Sequence, residues 1–367
     1  MTMKNMWFIL ILLIPIMGIA YVGWHWWALL PLNNVWKSVL IAIGVACILL
    51  LFVDLSGALE ALPLPLSRVL YKIGTSSLIV LLYMAMAFMV LDVGRLVRLV
   101  PRSWLYDNGV TAVALIGFLL TVFLCGHIHY RQKVRVAMDV ETEKPLAKDL
   151  TIVMASDLHL GYHNTRRDLA RWVDLMNAEQ PDVVLIAGDI IDISVQPLLE
   201  EDMAAEFRRL QAPVYACMGN HEFYSGEPRA LRFYRDAGIH LLRDSCETIG
   251  DLCIIGRNDR TNPHRMALRK LMQGADSTRF TILLNHQPYH LEQAEQAGID
   301  FQLSGHTHEG QVWPISWITH ALYECAWGSH QRGRTHYYVS SGIGIWGGRF
   351  RIGTQSEYVV MRLIHVP

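Results

Sequence analysis

The feature that most limits what this chain can become is where its charged side chains fall. Of 65 Lys, Arg, Asp and Glu residues in a chain of 367, only 11 lie within residues 1–130. The remaining 237 residues carry 54, the density of an ordinary water-soluble protein. Two solvents follow, hydrocarbon for the first third and water for the rest. With 52% hydrophobic residues and a mean hydropathy of +0.25, a wholly soluble enzyme and a disordered chain are both excluded. A formal net charge of −1 supplies no basic field, so no nucleic-acid partner is expected.

Within residues 1–130 the uncharged stretches read as a transmembrane domain of four helices, about 6–30, 36–55, 73–91 and 108–130. Trp24, Trp26 and Trp27 mark an interfacial belt at the end of the first. A cleaved signal peptide would account for that first span only. An even number of spans puts the N-terminus and the polar domain on one side. That side collects Lys4, Arg68, Lys72, Arg131, Lys133 and Arg135 against Lys37, Arg95, Arg98 and Arg102, so the positive-inside rule favours a cytoplasmic domain. The Arg95/Arg98/Arg102 cluster pulls the other way. Cys47, Cys125, Cys217, Cys246, Cys253 and Cys325 have neither disulfide nor zinc-type spacing and read as buried small hydrophobes.

Residues 131–149 are polar and read as a linker. From residue 150 to 367 short apolar runs alternate with amphipathic segments, the pattern of an α/β domain with buried strands. The run Cys246 to Ile255, turning at Gly250-Asp251, reads as a hairpin and makes the sheet mixed. Five apolar runs end in metal-capable side chains: Asp157/His159, Asp189/Asp192, Asn220/His221, His286, and His306/His308. Ligands of open α/β sheets bind at the carboxyl ends of strands, where residues 150 positions apart can meet. The donors are carboxylate, amide oxygen and imidazole without thiolate, a set suited to Mn²⁺, Fe or Zn²⁺. About seven ligands overfill one site, so two divalent metal ions sharing a carboxylate are expected. Two such ions clamp an in-line displacement at phosphorus and lower the pKa of a shared water.

The motifs D-x-H (Asp157/His159), G-D-x-x-D (Gly188 to Asp192), G-N-H-E (Gly219 to Glu222), His286 and G-H-x-H (Gly305 to His308) together resemble the calcineurin-like metallophosphoesterases. The resemblance implies an αββα sandwich and a metal-dependent phosphoric ester hydrolase. It implies one metal on Asp157, His159, Asp189 and His308 and the other on Asp189, Asn220, His286 and His306. His221 would face the phosphate as acid for the leaving group or as a transition-state donor, with Asp192 behind it. Many relatives carry an arginine after the second Asp, but Ile193 stands here, so that arginine's role does not transfer.

The chain most resembles the bacterial membrane-anchored branch, whose location would be the inner (cytoplasmic) membrane. Related enzymes hydrolyse UDP-2,3-diacylglucosamine in lipid A biosynthesis, which implies a phosphorylated lipid or nucleotide-lipid substrate met at the bilayer. The stretch Val312 to Trp327, with Trp313, Trp317, Tyr323 and Trp327, reads either as an acyl-chain guide or as a packing insert. Arg332, Arg334 and Arg351 are candidate phosphate contacts. Alternatives are a phospholipid or isoprenoid-phosphate phosphatase, a cyclic-nucleotide phosphodiesterase, a protein phosphatase, and a catalytically silent scaffold. The last would have lost ligands, and all seven are present.

Overall fold

The computed structural model describes the backbone of residues 3–367 and the side chains of residues 14–367 apart from Leu55. The chain divides into two compact units, Met1–Cys125 and Gly126–Pro367.

The first unit is helical: α1 (Met3–Leu29), α2 (Asn34–Leu55), α3 (Leu64–Leu96) and α4 (Gly109–Arg131), whose last turns belong to the second unit. The Asn33 side chain accepts from the Trp36 amide and caps α2. Among the described residues three helices are long and apolar enough to cross a membrane, 34–54, 64–96 and 109–131. Only 11–22% of their most apolar windows is buried, so their outer faces suit an apolar solvent. The expected first span, 6–30, falls partly on side chains outside the described residues. The expected third span, 73–91, lies inside a helix of 33 residues, about 50 Å long. Its first turns bury Leu64, Ser67 and Tyr71, and Ser67 Oγ donates to the Leu59 carbonyl. Arg68 and Lys72 end the apolar run without ending the helix.

The second unit carries twelve strands: β1 (Lys133–Thr142), β2 (Leu150–Ala155), β3 (Val183–Ala187), β4 (Val214–Cys217), β5 (His240–Leu241), β6 (Ser245–Ile249), β7 (Leu252–Gly256), β8 (Phe280–Leu284), β9 (Phe301–Ser304), β10 (Gly328–Arg332), β11 (Thr335–Val339) and β12 (Ser356–His365). They form two mixed six-stranded sheets, ordered β1-β12-β2-β3-β4-β5 and β10-β11-β9-β8-β7-β6. Period-two alternation divides each strand between two layers. Val153, Ala155, Val184 and Ile186 face Leu169, Trp172, Val173 and Met176 of helix α5 (Arg166–Ala178). Ile152, Met154, Leu185 and Cys217 meet Ile254, Ile282, Leu284 and Phe301 of the other sheet. Beyond that sheet, Cys253, Ile255 and Val339 pack on Leu268, Leu271 and Leu291. The layers run helix, sheet, sheet, helix.

Residues 131–149, read from sequence as a linker, contain β1, which pairs in parallel with β12 from Lys133↔Ser356 to Thr142↔His365. Val134, Val136, Met138 and Val140 alternate with exposed Arg135, Ala137 and Asp139, the pattern of an edge strand with one face in water. The cysteine reading holds in part: all six are free and Cys217, Cys253 and Cys325 are buried, but Cys125 lies exposed on α4.

The topology positions the site. Strands β2, β3 and β4 are mutually parallel, as are β7, β8 and β9. The loops after β2, β3, β4, β8 and β9 carry the five motifs.

Candidate metal centre

Five of the motif side chains sit on left-handed backbone: Asp157 (φ 54°), His159 (44°), Asp189 (52°), His306 (72°) and His308 (48°). For residues with a Cβ this costs about 1–3 kcal/mol each and is kept only where surroundings enforce it. The enforcement is a ladder between loops. Asp157 N donates to Gly188 O at 3.1 Å, His159 N to Asp189 O at 2.9 Å, Leu160 N to Ile190 O at 2.8 Å, and Asp192 N back to Leu160 O at 3.0 Å. Asp157 also accepts from the His306 amide at 3.0 Å, joining the first loop to the last. Gly219 and Gly305 have no substitute, since a Cβ on either would overlap the carboxylate of Asp189 or Asp157.

The expected residues converge into three overlapping groups of candidate ligand atoms: Asp157, His159 and His308; His159, Asp189 and His221; and Asp189, His286 and His306. Asp189 is common to two. Its Oδ2 lies 3.1 Å from His286 Nε2 and 3.6 Å from His159 Nε2, while Asp157 Oδ1 lies 3.5 Å from His308 Nε2. Asn220, placed beside them by the loop after β4, is buried.

The donors fit divalent cations. His286 Nδ1 is 2.7 Å from the Ala187 carbonyl, which can only accept, so Nδ1 carries the proton and Nε2 turns a lone pair toward Asp189. His159 Nε2 and His308 Nε2 face each other at 3.0 Å, nitrogen to nitrogen. Asn220 Oδ1 and His286 Nε2 are buried without a hydrogen-bond partner. Lone pairs at such distances need a positive charge among them. Without a metal, protons supply it. Burial would lower the pKa of His286, but the Asp189 charge lifts it well above the usual imidazole range. Burial likewise opposes His159, yet the neighbouring carboxylates of Asp157 and Asp192 raise it to about 10. Burial pushes His306 down to about 4 and His308 well below its ordinary value, so these two are neutral, as ligands must be. Asp189 is held well below the carboxylate range: burial would raise it, but the charges of His286 and His221 prevail.

His221 lies at the edge, its side chain 12% exposed. Asp192 Oδ1 is 3.4 Å from His221 Nδ1 and 3.3 Å from His159 Nδ1, so one carboxylate orients both rings. Burial opposes that charge, but the neighbouring imidazoles of His159 and His221 hold the Asp192 pKa down. Glu222 both braces the site and caps a helix. Its carboxylate caps Asn220–Tyr224 and accepts from the amides of Gly219, Asp189 and Ile191 at 2.7, 3.2 and 3.0 Å.

Sequence reasoning passed over several supports. Asn164 Nδ2 donates to the carbonyls of Leu158, His159 and Ile345, and its Oδ1 accepts from Tyr130 at the end of α4. Ser156 donates to Asp157. Neither belongs to a motif: Asn164 acts through main-chain carbonyls and through Tyr130, 34 positions away, and Ser156 is a lone hydroxyl beside Asp157. Arg351, considered as a phosphate contact, is fully buried and donates to the carbonyls of His308, Ser341 and Gly344. It braces the G-H-x-H loop from behind. Arg332 is engaged by Glu295 and Glu324.

The apolar segment after His308 forms helix Ile315–Leu322, which exposes Trp317, Ile318 and Leu322, with Trp313 half-exposed before it. Trp327 differs: its indole N–H donates to both Glu357 oxygens at 3.1 Å, a packing role. Two further aromatics flank His221, with ring centroids 5.4 Å (Tyr224) and 6.4 Å (Trp346) away, and both are exposed. Tyr323 stands 6.5 Å from His306.

Residues 150–310 match the family model described as calcineurin-like phosphoesterase. The chain is 32% identical over 254 residues to the uncharacterised metallophosphoesterase Cj0846 of Campylobacter jejuni, covering 67% of this chain and 68% of that protein. It is 31% identical to an uncharacterised metallophosphoesterase of Helicobacter pylori over 60% of this chain, and it spans 61% of that relative's length. A zebrafish (Danio rerio) transmembrane protein with metallophosphoesterase domain is 29% identical over 308 residues, 76% of this chain and 69% of the relative.

Proposed function

The chain belongs to the calcineurin-like phosphoesterase family, a family of metal-dependent hydrolases, and from that premise we propose a membrane-anchored, dinuclear phosphoesterase acting on a lipid-linked phosphoester or pyrophosphate. The observation that carries the reading is Asp189, shared between two ligand groups that each have their own imidazoles. Asp157, His159, Asp189 and His308 would hold one cation, and Asp189, Asn220, His286 and His306 the other. Two such cations supply an activated water and charge neutralisation at phosphorus.

The chain's own residues do the rest. Asp192 engages His221 Nδ1, which leaves Nε2 as the ring nitrogen available to the leaving-group oxygen. The Glu222 brace keeps Asp189 and Gly219 in register, so the donors reorganise little during reaction.

The lipid preference is supported by the exposed aromatics around the centre, Tyr224, Trp313, Trp317 and Trp346. An enzyme tethered at a bilayer meets an acylated substrate without extracting it into water, where each exposed CH₂ costs about 0.8 kcal/mol. With the domain on the cytoplasmic side of a bacterial inner membrane, UDP-2,3-diacylglucosamine is the substrate to try first. Phospholipid or isoprenoid phosphates are second.

Purified protein in detergent with Mn²⁺, offered UDP-2,3-diacylglucosamine, a lipid phosphate and bis-p-nitrophenyl phosphate, should turn over a lipid substrate with the highest kcat/KM. Turnover of the soluble diester alone would refute the lipid reading and keep the metal one. Sidedness has its own test. Green fluorescent protein fused after Pro367 should fluoresce and alkaline phosphatase should be inactive, and the reverse would remove nucleotide-linked lipids from the candidates.

A further inference from the structure

Where α4 ends, the second unit contains a cavity of about 460 Å³ that the proposed reaction does not use. Its wall includes Tyr130, Arg131, Lys133, Arg171, Trp172 and Arg349. Four of these are cations, facing two carboxylates, Asp168 and Asp174. Asp168 is divided between Arg171 and Arg349, and Asp174 is engaged by Arg209. Lys133 and Arg131 have no carboxylate within ion-pair distance among the described residues.

The way Lys133 is held is unusual for a lysine. Its Nζ lies 3.6 Å above the Tyr130 ring and 5.4 Å from Trp172, donating to the Tyr130 carbonyl at 2.6 Å. The Arg349 guanidinium lies 5.0 Å from the same Tyr130 ring, so two cations share one aromatic. Arg349 Nη2 is bound by Asp168 at 3.1 Å, yet its Nε is buried without a hydrogen-bond partner. Burial and the charges of Arg351 and Arg349 drive the Lys133 pKa well below its ordinary value. Positive charge is gathered here beyond what the protein's own carboxylates neutralise, and an anion would relieve it.

We propose that this cavity, lined by Arg131, Lys133, Arg171 and Arg349, is a non-catalytic binding site for a phosphate group. Its Arg131 and Lys133 stand at, or directly after, the C-terminal end of the last helix apolar enough to cross a membrane, and basic side chains just beyond such a span select anionic lipids. A phosphodiester of an anionic glycerophospholipid and free inorganic phosphate present the same chemistry, so the test must separate them.

Native mass spectrometry of the full chain in detergent, titrated with phosphatidylglycerol, phosphatidylcholine or inorganic phosphate, reads both sources. The wild-type protein should retain phosphatidylglycerol in preference to phosphatidylcholine. Lys133→Gln/Arg171→Gln should weaken that retention roughly thirtyfold, about fivefold per cation removed. Hydrolysis of bis-p-nitrophenyl phosphate should not change, since neither residue belongs to the metal centre. Lys133→Arg should bind as wild type. If the double variant does not fold, Arg171→Gln alone, at a side chain 44% exposed, should show the fivefold loss. Inorganic phosphate binding that depends on Lys133, without lipid preference, would assign the site to soluble phosphate. Equal retention of both lipids, with no effect of either substitution on lipid or phosphate, would overturn the proposal.

Discussion

Leu120 on α4 and Trp317 in helix Ile315–Leu322 are exposed to nearly the same degree, 65% and 66%, yet the two exposures have different origins. Around Leu120 nearly every neighbour is apolar, and exposed Val110, Val113, Phe118 and Leu124 cover one helix. No aqueous fold leaves so much apolar surface uncovered, so the solvent there is hydrocarbon. In the α/β unit large exposed hydrophobics are few; Tyr224, Trp313, Trp317, Ile318 and Leu322 lie on the motif-bearing loops or the helices that follow them, and Trp346, in the loop between β11 and β12, comes beside His221. An exposed Trp means solvent in one region and, in the proposed function, a substrate contact in the other.

Four experiments would break or sharpen that contrast. The largest effect belongs to neither apolar surface. Asp189→Ala should remove both cations and reduce phosphoesterase activity to background, as read by metal analysis and turnover together. About one cation per chain in fully active wild-type protein would sink the shared-carboxylate account. Next, His221→Ala should keep its metal content while kcat falls about 10²- to 10⁴-fold, the usual loss for a general acid. Loss of metal in this variant would instead make His221 a ligand.

The third experiment puts the same charge on both surfaces. Leu120→Arg should disfavour membrane insertion by about 2.5–3.5 kcal/mol, seen as a smaller membrane-integrated fraction. Leu199→Arg, at an exposed position of the α/β unit, should change stability by no more than about 0.5 kcal/mol in thermal unfolding. Equal tolerance at both sites would show that α4 does not face lipid. The smallest effect is expected at the aromatic rim. Trp313→Ser/Trp317→Ser should lower kcat/KM on a lipid substrate by roughly tenfold and leave a soluble diester unchanged, because the metal ligands are untouched. Parallel losses on both substrates would mean that the helix merely packs.

Much of this was legible because the signals are local. An i, i+2 pair such as Asp157/His159 names two donors on one loop, and a run such as Val183–Ala187 names the buried strand before Asp189. Edge strand β1 was hidden because its charges mimic a linker, and pairing with β12, more than 200 residues away, is invisible to local pattern. The amides that Glu222 braces were equally hidden, since Gly219 is nearby but the Asp189 and Ile191 amides are not.

By itself the sequence determined which parts of the chain seek lipid and which water, which donor types follow each strand, and the family whose motifs they compose. These depend on residue identity and short spacing, which are properties of the unfolded chain as much as of the folded one. Only the tertiary structure decided that Arg351 braces the His308 loop instead of meeting phosphate, and that Trp327 answers Glu357 while Trp317 faces outward. It also decided that His286 turns Nε2, with its lone pair, toward Asp189. The physical reason is common to all three. Burial, ring orientation and the choice of hydrogen-bond partner are set by atoms that only folding brings within reach, here a carbonyl 99 positions away for His286 and 43 for Arg351.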